Sequence, residues 1–321
     1  MRILITGVSG FVGGHLVKHL QSIDQSYEIH GTVFNQIEKQ ALKTIKTYQL
    51  DLRNQVDVFD LISQITPDYI FHLAGQAFIP RSFEFPWETL ENNIKSQLNI
   101  LEACRNANIT PRILITSSAE VHGIVTPDQI PIDESTPIKP NSPYSVSKVS
   151  QELLGLQYFQ TYGIPIICVR PFNHIGPRQK ANFVAPAFAT QIAKIEMGKQ
   201  DPIISVGDLT AQRDFTDVRD IVRAYQLILE RGEAGAIYTV ASGKSYRIQD
   251  LLDKLLSLST VSSIKVKIDP ARMRPSKVPI LQGNYARLYQ ATGWQPKISF
   301  EQTLEDILNE CRQRIKNEGE Q

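Results

Sequence analysis

Cysteine is scarce: Cys104, Cys168 and Cys311 are the only three, far apart and in no C-x-x-C spacing. That excludes a zinc ribbon and a disulfide framework, and three reduced, inert thiols of a cytoplasmic protein are expected instead. Long apolar runs are missing too, none approaching the ~18 residues of a membrane span. The chain opens straight into a strand pattern, Met1-Arg-Ile-Leu-Ile-Thr-Gly, so neither a signal peptide nor membrane attachment is expected. Charge of one sign is absent, since 34 Lys and Arg against 33 Asp and Glu leave a net +1. No global field therefore points to nucleic acid, and an anionic ligand would need local Arg or Lys. Histidines number six, and His15 and His19, four apart, lack a third ligand. A packed or solvated pair is expected there, and no metal site.

What is present is an ordinary globular mix, 42% hydrophobic and 21% charged, long enough for one large domain or two associated lobes. Arg2–Thr6 reads as a strand, Gly7 to Gly13 as a turn, Phe11–Ser22 as a helix and Tyr27–Phe34 as the next strand. The alternation continues with strands at Thr47–Leu50, Tyr69–Leu73, Arg112–Thr116 and Ile166–Val169. Helices fall between them at Val56–Gln64, Trp87–Ala107 and Tyr144–Tyr162. This is the signature of an α/β fold, a Rossmann-type doubly wound parallel sheet whose ligands bind at the carboxyl ends of its strands. After about residue 170 prolines break the rhythm. We expect a dinucleotide-binding domain over 1–170, rejoined by about 214–244, and a smaller mixed substrate-binding lobe from 171–213 and 245–321. The charged tail from Arg312 is expected to fray.

Gly7-x-x-Gly10-x-x-Gly13 is spaced three and three between a strand and a helix. Glycines there permit a tight turn and close backbone approach, and the helix start at Phe11 and Val12 offers amides to a pyrophosphate. The competing reading is a generic strand-to-helix turn. The second strand ends Thr32-Val33-Phe34-Asn35, with no carboxylate to grip a ribose 2′-hydroxyl. That leaves room for a 2′-phosphate, although Lys39 is the nearest cation, and the reading leans to NADP(H) over NAD(H). Asp51, beside Leu52, either bonds the adenine or caps the next helix. Leu73-Ala74-Gly75 and Asn93 complete the expected cofactor lining, with Gln76 next to them on the substrate side.

The chemistry is carried by Tyr144-Ser-Val-Ser-Lys148, whose Tyr and Lys share a helix face four residues apart. Alone, the pair fits any amphipathic helix. A nearby ammonium favours the phenolate, making the tyrosine usable as acid or base near neutrality. Ser118 ends a strand at the same cleft, where its hydroxyl can bond a substrate oxygen whose charge changes during hydride transfer. Ser142 and Pro143 read as cap and first turn, anchoring Tyr144. Glu120 either abstracts a proton next to a ketone or only bonds a substrate hydroxyl. His122 and His174 border the cleft, with packing or substrate contact both open. Arg213 and Arg274 suit a diphosphate; the competing reading is surface salt bridging, stronger for Arg213, beside Asp214 and Asp217.

These residues resemble the extended short-chain dehydrogenase/reductase superfamily over nearly the whole chain. The resemblance rests on Thr6–Gly13, His72–Gly75, Ser117-Ser118, Tyr144–Lys148 and Arg170–Pro177. Within it, Arg170–Pro177, Gly207–Val218 and Asp269–Pro275 are similar to GDP-4-keto-6-deoxy-D-mannose reductases, which form GDP-D-rhamnose. The resemblance implies NAD(P)H-dependent reduction of a GDP-bound 4-keto sugar. It implies Tyr144 as proton donor, Ser118 and Lys148 as its partners, and Asn173, Val184, Arg213 and Arg274 at the sugar nucleotide. A homodimer through the helices Trp87–Ala107 and Tyr144–Tyr162 is also implied. His122 departs from the family's usual Tyr. The alternative is a GDP-mannose 4,6-dehydratase, with Glu120 as base, or another sugar 4-epimerase or reductase of the superfamily. Ala119 supplies no acid beside Glu120, and Phe215-Thr216-Asp217-Val218 fits the reductases better. A dinucleotide sensor without turnover would have no need of Tyr144.

Overall fold

The computed structural model describes residues 1–34, 44–273 and 278–318. Its first half runs β1 (Arg2–Thr6), α1 (Phe11–Ile23), β2 (Glu28–Val33), β3 (Lys46–Gln49), α2 (Gln55–Ile65), β4 (Tyr69–His72), α3 (Ile79–Glu84), α4 (Pro86–Asn106), β5 (Arg112–Thr116), α5 (Pro143–Tyr162) and β6 (Ile166–Pro171). The second half runs β7 (Asn173–Ile175), α6 (Val184–Glu196), β8 (Ile203–Val206), β9 (Gln212–Asp217), α7 (Val218–Arg231) and β10 (Ile237–Val240). It ends with β11 (Ser245–Arg247), α8 (Ile248–Ser257), β12 (Lys265–Ile268), β13 (Ile280–Leu281), α9 (Ala286–Thr292) and α10 (Phe300–Asn317).

Seven strands form one parallel sheet in the order β10-β6-β5-β4-β1-β2-β3. Its central strands are near-continuous apolar runs, such as Ile113-Leu114-Ile115 and Ile166-Ile167-Cys168-Val169, because both faces are covered. One face packs on α1 and α7 through Leu16, Leu20, Ile221 and Tyr225. The other packs on α2, α4 and α5 through Ile62, Ile100, Leu101 and Tyr158. From β1 the chain winds outward through β2 and β3, then returns to β4 on the other side of β1. The winding therefore reverses between β1 and β4, where Thr6 lies opposite His72. Such a reversal opens a crevice at the carboxyl ends of the strands.

A smaller mixed sheet has β9 at its centre, antiparallel to β11 and parallel to β13 and β7. Strand β9 carries this sheet to Asp217, a few residues past the expected junction near 214. A second apolar cluster unites α6, α8 and α10 through Phe188, Leu252 and Leu304. Here the expected fraying of the tail is corrected: α10 continues to Asn317, buries Cys311 and Ile315, and pairs Arg312 with Glu196 at 2.7 Å. The charges that suggested a loose tail are the outer face of an amphipathic helix. No helix of the described residues is long and apolar enough to cross a membrane, and the three cysteines are buried, unbridged thiols.

Candidate active site

The glycine turn after β1 is closed by packing. Gly7 has φ +67°, and a Cβ there would lie 3.0 Å from the Ala74 Cα. A Cβ on Gly13 would meet the Gly7 carbonyl at 2.6 Å, so the first turn of α1 rests directly on the loop backbone. Gly10 caps α1 without a side chain, and the first turn holds no acidic residue. Its first amides and the positive end of its dipole are left for an anion. Phe11 stacks on His174 at 6.0 Å, and Val12 packs into the core beneath. A dinucleotide diphosphate fits this cradle, where Gly7, Gly10 and Gly13 keep the backbone free of Cβ atoms.

Beside the turn, the Thr6 hydroxyl oxygen accepts the Leu73 and Ala74 amides, each at 3.1 Å, which fixes the loop after β4. Asn93, fully buried on α4, spends its amide on the same loop. Its oxygen accepts from the Gln76 N–H at 2.8 Å, and its nitrogen donates to the Gln76 carbonyl and to Ser147. Gln76 in turn donates to the Phe78 carbonyl and Thr89, and accepts from the Phe78 amide. Both side chains thus hold the loop from within. Gly75 lies against Asn93 and the Lys148 ammonium, a Cβ there falling 3.7 Å from Nζ.

At the far edge of the cofactor side, Asp51 holds the Arg53 guanidinium in a two-pronged pair and accepts its backbone amide. That neighbour keeps its carboxyl below the usual range. The helix cap falls to Asn54, not Asp51, because the Asn54 oxygen reaches the Val56 and Asp57 amides. Leu52 is buried, and its carbonyl accepts from Asn99 at 2.9 Å. Phe34 is exposed at the end of β2; Asn35 and Lys39, like Arg274, lie outside the described residues.

The reacting groups converge from β5 and α5. Ser142 caps α5 by accepting the Ser145 amide at 3.1 Å, and Pro143 opens its first turn. Tyr144, in the first turn, hydrogen-bonds Ser118, which lies two residues past β5 and caps a short 3-10 turn over Ala119–His122. Glu120 is half-buried in that turn, and its charge falls on Tyr144. Lys148 donates to the Thr116 carbonyl and to Gln151 Oε1, both at 2.8 Å. Its Nζ is 5.8 Å from the Tyr144 ring centroid.

This geometry corrects one electrostatic expectation. The Tyr144 phenol is not brought down toward neutrality by the ammonium. Burial pushes its pKa up to about 12, against a smaller lowering by the Ser118 hydrogen bond. Burial also pulls Lys148 down to about 8, with Glu152 opposing. Desolvation outweighs the four-residue spacing because both groups are almost fully inside. The protein therefore holds a neutral, proton-bearing phenol next to Ser118.

The other candidates separate. His15 bonds the Pro177 carbonyl at 2.9 Å, and burial lowers the pKa of both His15 and His19. His122 is buried with Nδ1 on the Pro137 carbonyl, and His174 bonds the Phe172 carbonyl. Asn173 is exposed at the start of β7, opposite Phe215 in register, and Val184 opens α6. Arg213 donates to the Gln212 carbonyl, while the Asp214 carboxylate is taken by Ser242, Gly243 and Gly283 and that of Asp217 by Arg219. Among the described residues no cluster of His, Cys, Asp and Glu could hold a metal.

Sequence reading missed the buried Arg170–Glu152 pair at 2.8 Å and the contacts of Gln151 and His72. The signal available for Glu152 was its place four residues past Lys148 on the same face.

Comparison with known proteins agrees with this construction. The chain is 38% identical over 317 residues to a GDP-6-deoxy-D-mannose reductase of Pseudomonas aeruginosa, covering 99% of each. It is 29% identical to GDP-mannose 4,6 dehydratase 1 of Arabidopsis thaliana, covering 98% of this chain and 91% of the other. Among solved structures, RMD from Pseudomonas aeruginosa complexed with NADPH superposes with a TM-score of 0.87 at 36% identity, covering 98% of this chain and 99% of that one. A UDP-glucose 4-epimerase of Thermotoga maritima with UDP-glucose gives 0.88 at 25%, covering 98% and 100%. The family model described as GDP-mannose 4,6 dehydratase matches residues 4–307, from the second residue past the start of β1 into α10, and the chain belongs to that family.

Proposed function

We propose that this protein is an NAD(P)-dependent nucleotide-sugar reductase that converts the C4 ketone of GDP-4-keto-6-deoxy-D-mannose to the alcohol of GDP-D-rhamnose. The observation that carries the reading is a buried, neutral Tyr144 phenol bonded to Ser118 at the mouth of the crevice. With its diphosphate held at the glycine turn, a bound NAD(P)H would supply the hydride. Ser118 hydrogen-bonds the substrate oxygen and steadies the charge that grows on it. Tyr144 gives that oxygen its proton and is left as phenolate. Lys148, charged, favours that phenolate across the short distance between them. Gly7, Gly10 and Gly13 would seat the cofactor diphosphate, and Asn173, Val184 and Arg213 would hold the sugar nucleotide, a role the family resemblance also gives Arg274. The seven-stranded sheet with its cofactor turn and the smaller sheet would serve as the two lobes.

The described end of β2 carries no carboxylate against a 2′-phosphate, which supports NADP(H) as the better cofactor. The outer faces of α4 and α5 expose Trp87, Val146 and Leu153. An apolar stripe of this kind supports pairing of two copies through those helices. The mass in solution, with Leu153→Asp as the breaking variant, tests it; a monomer before mutation would remove the pairing.

Dehydration of GDP-mannose is the second reading, favoured by the nearness of Glu120 to Tyr144. The test is absorbance at the reduced-nicotinamide band with freshly made keto sugar and either cofactor, followed by NMR of the product. A falling signal and GDP-rhamnose are expected. A flat signal with both cofactors, together with loss of GDP-mannose that Glu120→Gln abolishes, would replace reduction by dehydration.

A further inference from the structure

Behind Lys148 a file of side chains runs inward to the cofactor turn. Lys148 Nζ donates to Gln151 Oε1 at 2.8 Å, Gln151 Nε2 faces His72 Nε2 at 3.4 Å, and His72 Nδ1 meets the Thr6 hydroxyl at 2.9 Å. That hydroxyl is the acceptor for the Leu73 and Ala74 amides. All four side chains are buried, so their polar atoms need hydrogen-bond partners.

Counting hydrogens gives two arrangements. With Lys148 as ammonium, Gln151 must turn its oxygen toward it and its NH2 toward His72. His72 Nε2 is then the acceptor, and its proton sits on Nδ1, pointing at Thr6. The Thr6 oxygen must now accept three N–H groups on two lone pairs, and its own hydrogen has no place in the file. With Lys148 as neutral amine, the Gln151, His72 and Thr6 links all fit. The amine keeps one N–H on the Thr116 carbonyl and accepts from the Gln151 NH2. The turned Gln151 oxygen accepts from His72 Nε2–H, His72 Nδ1 accepts the Thr6 hydrogen, and Thr6 keeps both lone pairs for Leu73 and Ala74.

We infer that Gln151 and His72 are positioning residues that tie the charge on Lys148 to the His72 tautomer, and through Thr6 to the grip on the Leu73–Ala74 amides. One proton leaves Lys148 for solvent, and the imidazole hydrogen moves from Nδ1 to Nε2 with no change in ring charge. The imidazole stays neutral throughout, since burial and the Lys148 charge pull its pKa down to about 3. The other charged or titratable groups around Lys148 are Tyr144 and Glu152 on its own helix and Arg170 on β6, the last two locked together in their ion pair. Lys148 titrates near 8 from burial. The file adds to that depression, because only the neutral amine leaves Thr6 two N–H groups to accept and a place for its own hydrogen.

The proposal rests on the proposed reaction only for the task it gives Lys148; its test needs neither cofactor nor substrate, so the two fail separately. With the whole protein labelled with 15N-histidine, the ring nitrogens of His72 are followed by NMR from pH 6 to 10 and assigned with His72→Gln. The proton is expected on Nδ1 at the acid end and on Nε2 at the alkaline end, moving with the Lys148 titration. Lys148→Met should hold it on Nε2 at every pH, and Gln151→Leu should make the tautomer independent of pH. One unchanging tautomer in the unmodified protein, or a switch that survives Gln151→Leu, would overturn the assignment.

Discussion

On the sheet side of the crevice, Tyr144, Ser118 and Lys148 are exposed by only 8%, 8% and 6%, and each is held by a helix turn or strand end. Among the residues proposed for the sugar nucleotide, Asn173 on β7 is exposed and Arg213 is half-buried on β9. The contrast separates two kinds of work. Groups that move a proton need fixed distances and a low dielectric, so the sequence buries them and spends hydrogen bonds on them. Groups that take hold of a large charged ligand must stay open to it, and their partner is the ligand itself.

The widest break in that comparison is Tyr144→Phe. If the buried side alone carries the chemistry, turnover should fall by roughly 10²–10⁴, the usual reach of a positioned acid. Cofactor affinity, measured by fluorescence titration, should hardly move. An unchanged rate would take proton transfer away from α5 altogether.

Next comes the pair that shapes the buried side without touching substrate. Glu152 and Arg170 are 2% and 3% exposed and joined at 2.8 Å. Glu152→Gln leaves the guanidinium inside with no countercharge, a change that costs about 3–5 kcal/mol in such sites. Chemical denaturation should register it, and a loss under about 1 kcal/mol would mean that water reaches this wall.

A smaller effect concerns pH. Lys148 loses its charge near pH 8, and Tyr144 stays neutral up to about 12. As pH rises through 8, the cation that favours the phenolate left by proton transfer disappears. Turnover should therefore decline with a break near 8, and Lys148→Met, slower throughout, should lack it. A break near 10 would show that Lys148 keeps contact with water.

Legibility in the sequence followed the same division. Strand, glycine turn and helix were readable because Gly7, Gly10 and Gly13 punctuate a local pattern, and the winding followed from alternation. The six residues of α3 escaped because it has no side-chain cap and no amphipathic period. The pKa of Tyr144 was misjudged because spacing along α5 reveals a neighbour but not the burial that outweighs it. Thr6, His72 and Gln151 meet across 66 and 79 residues, distances at which no local pattern carries information. Asn93 and Gln76 likewise bond a loop that only the fold brings near.

The mildest test acts on the open side. Arg213, half-buried on β9, donates to the Gln212 carbonyl at 2.8 Å. If it takes a phosphate of the sugar nucleotide, Arg213→Ala removes a charge-assisted bond made equally well before and during reaction. Such uniform binding raises KM and leaves kcat alone. Losing one charged hydrogen bond at a partly wet surface amounts to about tenfold. Steady-state kinetics at two salt concentrations would check it, because screening should weaken the unmodified enzyme's binding more than the variant's. A fall in kcat with constant KM would mean that Arg213 acts on the reacting carbonyl, and the division between a buried chemical wall and an open binding wall would have to be redrawn.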